Sequence, residues 1–412
     1  MANNRIFYAC QAVGITEMGG GSGNLWIANG VQSIGITTNF NLEQAFELGQ
    51  IQIYENIEGL PDVEVTMEKV LDGYPLLYHL CSSGAANKSL TARSKARADV
   101  RLGIFSDDND EVAGTPPVEV YCSGMYINSI SYTIPVDGNA TESITLVGNN
   151  KKWMTGDADS NPLYQGKLIQ PQMLSGVGIH QGNFGNAEPL AYTRASGGIQ
   201  RREDVIMASS ILPVGIQGVS GNCEGGGMDS GRINTAVHIQ NVSISTDFSR
   251  EDILELGRKT PYFRAPGFPI EVSCEIEAIS TSGDFISIYE GGDPAFDGTK
   301  DAGDNIADEA IKILLRDGTC FDLGTKNKLS SVSYGGGDAT GGNVSCSYSY
   351  QNFNVLDVIH PQDPKYNVNA ANKPTTAEAR YGVAALSGYL LDVATPAAYR
   401  AINYTGKGGM NW

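Results

Sequence analysis

The sequence predicts a mainly β protein: two tandem homologous β-sandwich or barrel domains, each with a short flanking α-helix, joined by a linker or surface arm and followed by a C-terminal extension. Three observations predict it. The phrase NFNLEQAFELGQ at residues 39–50 returns as DFSREDILELGR at residues 247–258. Apolar and polar residues alternate with period two in several stretches, as half-buried strands require. Finally, 50 glycines with only 18% charged residues suit turn-rich β structure better than helical bundles or disorder.

The repeat extends well beyond the phrase. Ser33 to Pro61 aligns with Asn241 to Pro269 at one constant offset, with ten identities in twenty-nine positions where average residue usage gives about two. Ile36, Thr38, Phe40, Glu43, Glu47, Leu48, Gly49, Tyr54, Gly59 and Pro61 match Ile244, Thr246, Phe248, Glu251, Glu255, Leu256, Gly257, Tyr262, Gly267 and Pro269. After a one-residue slip at Asp62, Glu64, Val65 and Glu68 meet Glu271, Val272 and Glu275. VRLGIF (100–105) echoes AIKILL (310–315), SISY (129–132) echoes SVSY (331–334), and the apolar stretch near Ile6 pairs with the one near Val205. Blocks repeated in one order argue for duplication of a whole domain. The division expected is 1–154 and 200–355 for the two domains, 155–199 for the arm and 356–412 for the extension.

Each copy reads the same way in order. A strand (GVQSIGITT or VHIQNVSIST) runs into a short helix with Asn41 or Ser249 as its N-cap and Gly49 or Gly257 as its left-handed C-cap. Val63, Val65 and Met67 then alternate with Glu64, Thr66 and Glu68, as Ile270, Val272, Cys274 and Ile276 alternate with Glu271, Ser273, Glu275 and Glu277, which predicts a strand with one apolar and one acidic face. Cys346, Tyr348 and Tyr350 alternate with Ser345, Ser347 and Ser349 in a closing strand. Residues 155–199 are rich in Gly, Asn, Gln and Pro, and Thr375 to Leu391 has helical character.

The chemistry of a catalytic or metal centre is not apparent. Seven cysteines, widely spaced and without a CxxC pair, read as small buried thiols and indicate neither a disulfide framework nor zinc. His79, His180, His238 and His360 are isolated, and no GxSxG is present. The glycine-rich runs at Gly19–Asn24 and Glu224–Gly231 lack the lysine of a phosphate loop and read as surface loops before a strand. The acidic clusters at 106–111 and 157–161 read as solvated turns, the second having Pro162 where a calcium loop needs glycine. No cofactor and no metal are expected. No apolar run is long enough to span a bilayer, and MANNRIFYAC lacks the pattern of an export signal. The net charge of −18 repels polyanions, which argues against a nucleic-acid binder; it suits a surface past which DNA slides, and equally a surface whose acidity only aids solubility.

FNLEQAFELG with IYENIEGLPDVEVTMEKVL, and again FSREDILELGRKTPYFRAPGFPIEVSCEIE, resemble tail-tube-type structural proteins of tailed bacteriophages. The resemblance implies a β-sandwich with a flanking helix that assembles into stacked rings around a lumen for double-stranded DNA. It implies a virion protein put together in the bacterial host cytoplasm, with itself as main partner in homotrimeric rings of pseudo-sixfold symmetry. Other tail proteins, namely tape measure, terminator, baseplate and sheath, would be further partners; DNA would pass without specific binding, and no membrane is involved. The alternative is another particle component: sheath, terminator, baseplate, capsid decoration or host-binding module. An enzyme on a β scaffold, such as a glycan hydrolase, is the third class. Glu43, Glu47, Gly49, Tyr54, Glu251, Glu255, Gly257 and Tyr262 are the candidate assembly residues; the four glutamates are read as interface or cap contacts because a surface acid has no core reason to recur. Helix-dipole compensation is the competing explanation for Glu43 and Glu251. Phe40, Leu48, Phe248 and Leu256 are expected to be packing residues.

Overall fold

The computed structural model describes residues 8, 11–18, 26–49, 51, 53–104, 118–155, 198–205, 210–213, 216, 237–280, 308–335, 343–360 and 363. The first copy contributes β1 (Gln11–Glu17), β2 (Trp26–Ile27), β3 (Val31–Asn39), β4 (Leu42–Phe46), β5 (Ile53–Glu58) and β6 (Asp62–Val70). Helices α1 (Leu77–Cys81) and α2 (Leu90–Arg93) follow, then β7 (Arg97–Ile104), β8 (Val118–Pro135), β9 (Thr141–Gly148) and β10 (Asn150–Thr155). The second contributes β11 (Val237–Asp247), β12 (Glu251–Ile253), β13 (Phe263–Ala265), β14 (Glu271–Ser280) and β15 (Lys312–Leu314). It ends with β16 (Cys320–Asp322), β17 (Lys328–Gly335) and β18 (Ser345–Phe353), and β19 (Asp357–Ile359) follows at the start of the stretch expected as the C-terminal extension.

The protein is mainly β, and its antiparallel pairings repeat with the sequence. β3 pairs with β6, β6 with β9 and β9 with β8. In the same order β11 pairs with β14, β14 with β18 and β18 with β17. The registers agree down to the irregularities: Gln32 and Gln240 form matching bulges, as do Asn128 and Ser330. Because β8 also pairs with β11, the two four-stranded units join edge to edge as β3-β6-β9-β8-β11-β14-β18-β17.

Period-two burial follows the expected pattern in β6, β14 and β18. Val63, Val65, Met67, Val272, Cys274, Ile276, Cys346, Tyr348 and Tyr350 are buried, while Glu64, Glu68 and Glu275 face outward. One apolar cluster runs through both copies, from Val13 to Val358, so the core is continuous across the join. Cys81, Cys122, Cys274, Cys320 and Cys346 are buried free thiols. β8 serves two sets of neighbours: its first half pairs with β7 and β10, and its second half with β9 and β11. Gly124, at φ 67°, stands at the changeover and donates its N–H to Asp99 at 2.8 Å. β15 and β16 of the second copy form a smaller sheet with β19.

Two expectations are corrected. The repeated phrase does not form a helix: Leu42–Phe46 is β4, and Glu251–Ile253 is β12. Each returns through a hairpin partner, β5 or β13, with equivalent register (Glu43↔Ile57 and Glu251↔Ala265). Asn41 (φ 45°) and Ser249 (φ 42°) are not N-caps but left-handed residues that turn the chain out of the sheet. Gly49 (φ 92°) and Gly257 (φ 84°) have the expected left-handed backbone in a hairpin turn, not at a helix end. Both helices lie between β6 and β7; the corresponding stretch of the second copy is outside the described residues. The second correction is the alignment of β6 with β14. The pairing places Ile36 opposite Val65 and Ile244 opposite Cys274, so Val63 corresponds to Val272, two residues away from the sequence match. Two residues is one strand period, so every side chain keeps its face.

Buried polar groups tie distant parts together. Glu142 on β9 accepts the N–H groups of Leu77 (2.6 Å) and Tyr78 (3.0 Å) at the start of α1 and the Tyr132 hydroxyl at 3.2 Å. Burial raises its pKa, and these donors work against the rise. His79 Nε2 donates to the carbonyl of Val358 at 2.9 Å, Arg93 holds Asp363 in a buried ion pair, and Lys88 lies 3.0 Å from Asp357. The first copy's helices are thereby anchored to residues 357–363, just after the second copy. The glycine-rich loops at 19–24 and 224–231, the acidic clusters at 106–111 and 157–161, nearly all of the 155–199 arm and the 375–391 helix expectation lie outside the described residues.

Candidate assembly interface

The join between β8 and β11 is an internal interface between two like units. Its register runs from Asn241↔Pro135 to Asp247↔Ser129. Ile130, Tyr132, Val242, Ile244 and Phe248 turn their side chains to the core and are buried. The Phe248 amide donates to the carbonyl of Asn128 at 2.8 Å, using the bulge in β8. Hairpin β12–β13 then folds over the first copy. Arg250 donates to the carbonyls of Ile127 (2.6 Å), Ser94 (2.6 Å) and Arg264 (3.2 Å), with its guanidinium 4.7 Å from the centre of the Tyr126 ring. Burial pushes the Arg250 pKa down to about 10, which still leaves it charged at neutral pH. Phe263 meets Tyr126 edge to face at 6.0 Å, and Arg264 bridges Asp62 (2.6 Å) and Asp252 (2.8 Å).

The outer strands, β3 and β17, are the counterparts of β11 and β8, and among the described residues each is paired on one side only. Equivalent residues consequently differ in exposure. Phe248 is 0% exposed and its counterpart Phe40 is 62% exposed; Tyr132 is 1% exposed and its counterpart Tyr334 is 56% exposed. Phe40, and Leu48 and Leu256 with it, therefore fail the expectation of core packing, which Phe248 alone meets. Phe40 lacks the neighbour that covers Phe248, whereas Leu48 and Leu256 sit at hairpin turns where no core reaches them.

The face of the eight-stranded run that points away from the core is polar. Ser and Thr rows on β8, β9, β11 and β18 are interleaved with Glu64, Glu68, Asp247, Glu271, Glu275 and Glu277. At the join this face forms an open hollow of about 750 Å³ lined by Ser129, Ser131, Ser143, Ser245, Asp247 and Glu271 among others. The lining contains no His, Cys or Lys that would activate a hydroxyl as a nucleophile. Among the described residues no group of three or more His, Cys, Asp or Glu is placed to hold a metal ion, and no helix is long and apolar enough to cross a membrane.

The eight residues singled out from the sequence lie on the two hairpins and are not brought into one cluster. Glu43 is on β4 and Glu251 on β12; Glu47, Gly49, Glu255 and Gly257 are at the turns, and Tyr54 on β5 and Tyr262 just before β13 are each 66% exposed. Glu255 lies 3.8 Å from Arg258, whose guanidinium sits 6.0 Å from the Tyr262 ring. Sequence reasoning missed Arg250, Arg264, Tyr126 and the edges. The signal for the two arginines was the mismatch at otherwise aligned positions, Leu42 and Asn56 in the first copy.

No family model and no curated protein matches this chain. Among solved structures it is similar to the tube-terminating cap of the anti-feeding prophage, at 12% identity and a TM-score of 0.28 over 38% of this chain and 95% of that one. It is likewise similar to a chain in the baseplate of that prophage, at 10% identity and a TM-score of 0.29 over 37% and 98% of the two chains. A third similarity is to the extended sheath-tube complex of an extracellular contractile injection system, at 10% identity and a TM-score of 0.28 over 37% and 93%. At TM-scores this low these likenesses carry no inference about the role of this chain.

Proposed function

We propose that the chain is a structural subunit of a tail-like virion particle, a tail tube protein that assembles edge to edge into closed rings, without enzymatic activity. Strand β17 of one chain pairs with β3 of the next, repeating between chains the β8–β11 join within one chain. Each chain carries two four-stranded units, so three chains supply six and give a ring of pseudo-sixfold symmetry. The rings stack, with the acidic, hydroxyl-rich sheet face bordering a passage for double-stranded DNA. That face offers phosphates repulsion and no array of basic contacts to retard them. On this reading residues 1–154 and 200–355 are the repeating units, and tape measure, terminator, baseplate or sheath proteins meet the ends or outside of the tube.

The single observation that supports this reading best is the exposure mismatch between copies. Large side chains buried at the internal join are left open at the two outer edges, as a missing neighbour of the same kind requires. Open edges are a liability that a monomer would blunt with charge, proline or a covering segment. Electron microscopy of the purified protein tests the proposal: rings with three chains and six density units are expected, and a monomer at every concentration would sink it. Rings that form but never stack would favour a terminator or other single-ring component instead.

A further inference from the structure

The two joins are related by the repeat but not identical in sequence, and the differences assign a contact. At the internal join, hairpin β12–β13 rests on β8 through Phe263 against Tyr126 and Arg250 against Tyr126 and Ile127, and on the start of β6 through Arg264 against Asp62. The matched registers of the hairpins make Glu55 the counterpart of Phe263, Asn56 of Arg264 and Leu42 of Arg250. The matched bulges in β8 and β17 make Lys328 the counterpart of Tyr126 and Leu329 that of Ile127, while Glu271 stands where Asp62 does.

Substituting one set for the other turns an aromatic pair into an acid–base pair. We infer that hairpin β4–β5 of one chain clasps β17 of a second copy of this chain, with Glu55 paired to Lys328. This rests on the ring reading above and adds to it the residues that hold neighbouring chains together. Around that pair the substitutions are mutually consistent. Leu42 replaces a half-buried arginine and meets Leu329 and the aliphatic stem of Lys328; Asn56 replaces Arg264 and offers an amide to Glu271. Both sides are accessible in the single chain: Glu55 and Leu42 are exposed, and the Lys328 side chain is 55% exposed. Lys328 lies 3.2 Å from Asp308 within its own chain, and an ammonium has donors enough for a second carboxylate.

The internal join has a guanidinium making three main-chain hydrogen bonds, whereas the external one has an exposed ion pair beside an apolar contact. The external join is accordingly the salt-sensitive one.

Charge reversal in the full chain tests the pair. Concentration-dependent assembly is followed by light scattering at low and high salt for wild type, Glu55→Lys, Lys328→Glu and the double variant. Each single reversal is expected to raise the concentration needed for assembly roughly three- to tenfold at low salt, with a smaller effect at high salt. The double variant is expected to return to within about twofold of wild type. Single variants that assemble like wild type, or a double variant no better than the singles, overturn the clasp while leaving the ring reading in place. A wild-type chain that never assembles overturns both. Circular dichroism melts matching wild type establish that lost assembly is not lost folding.

Discussion

The Phe248 amide reaches the Asn128 carbonyl at 2.8 Å, and the ring behind that amide is wholly buried, whereas Phe40 at the equivalent position is 62% exposed. One residue type in one local backbone thus has two energetic roles, set by whether a strand lies beside it. Phe248→Ala empties a core position and should cost about 3–5 kcal/mol of folding stability. Phe40→Ala should change the stability of the isolated chain by less than about 0.5 kcal/mol and weaken assembly. Urea melts of the monomer and light scattering of the assembly separate the two outcomes. A Phe40 variant that assembles normally would show that nothing covers this ring.

Tyr334 on the outer edge gives an independent check. Its counterpart Tyr132 packs against Phe321 at 4.6 Å between ring centres, across the internal join. Tyr334→Lys puts a charge on the inward-facing row of an open edge, the device by which natural sheets prevent edge pairing. The variant is expected to melt like wild type and to remain monomeric at concentrations where wild type forms rings. Rings of normal size by electron microscopy would exclude β17 from the contact.

Glu119 makes the fold pH-dependent. Its side chain is 0% exposed, neither carboxylate oxygen has a hydrogen-bond partner among the described residues, and Arg101 lies 3.6 Å away. Burial raises its pKa to about 7, the arginine opposing, from an ordinary value of 4.5. A carboxyl whose pKa is higher folded than unfolded contributes stability that is complete below about pH 4.5 and lost as pH rises through about 7. Glu119→Gln should remove that slope, so the variant gains on wild type between pH 5 and pH 8. His79, lowered to about 4 by burial, acts oppositely, its contribution falling as pH drops from 6.5 through 4, and it cancels in the difference between variant and wild type. Denaturant melts at the two pH values that run parallel for both proteins would contradict the assignment.

Arg93 anchors the first copy to the stretch that follows the second. It is 1% exposed, pairs with Asp363, donates to the Ser82 hydroxyl at 2.8 Å and lies 5.3 Å from the centre of the Tyr78 ring. Arg93→Ala removes the guanidinium that pairs with the buried Asp363 carboxylate and should cost about 3–5 kcal/mol, while Arg93→Met with Asp363→Leu should recover much of that loss. Because the apolar cluster is continuous across the copies, the loss should appear as one earlier cooperative transition, followed by fluorescence and circular dichroism together. Two separate transitions would mean that the copies unfold independently.

What was legible in the sequence follows from what a strand does locally. Val63, Val65 and Met67 alternate with Glu64 and Glu68 because the sheet has one dry face, and that constraint is written into adjacent residues. The hairpins were misread because LEQAF and REDIL have the composition of a helix, while left-handed Asn41 and Ser249 and the cross-strand pairing decide the outcome. Gly59 and Gly267 belong to the same device: a Cβ there would sit 2.5 Å from the Asn41 carbonyl oxygen and 2.9 Å from that of Ser249. The exposure of Phe40 was not legible, because burial at an edge depends on which strand lies beside it. Helix α1 was missed for a related reason, since its first N–H groups are held by Glu142, far along the chain on β9.

The polar sheet face gives the most direct test of a conduit. Glu64 and Glu275 stand on it in β6 and β14, outward-facing and clear of the joins. Reversing both to Lys should leave folding and ring formation intact, because neither side chain contributes to the core; Glu275 gives up one hydrogen bond, from Ser347 at 2.6 Å. It should change what the face does to a polyanion. Each neutralised phosphate releases counterions, so the double variant should bind double-stranded DNA with an affinity that falls steeply with salt, whereas wild type should not retain DNA at all. Filter binding over a salt series reads the difference. If reversal produces no binding in assembled rings, the acidic face lies away from any DNA-sized opening; if wild type already binds, repulsion by this face is not its role.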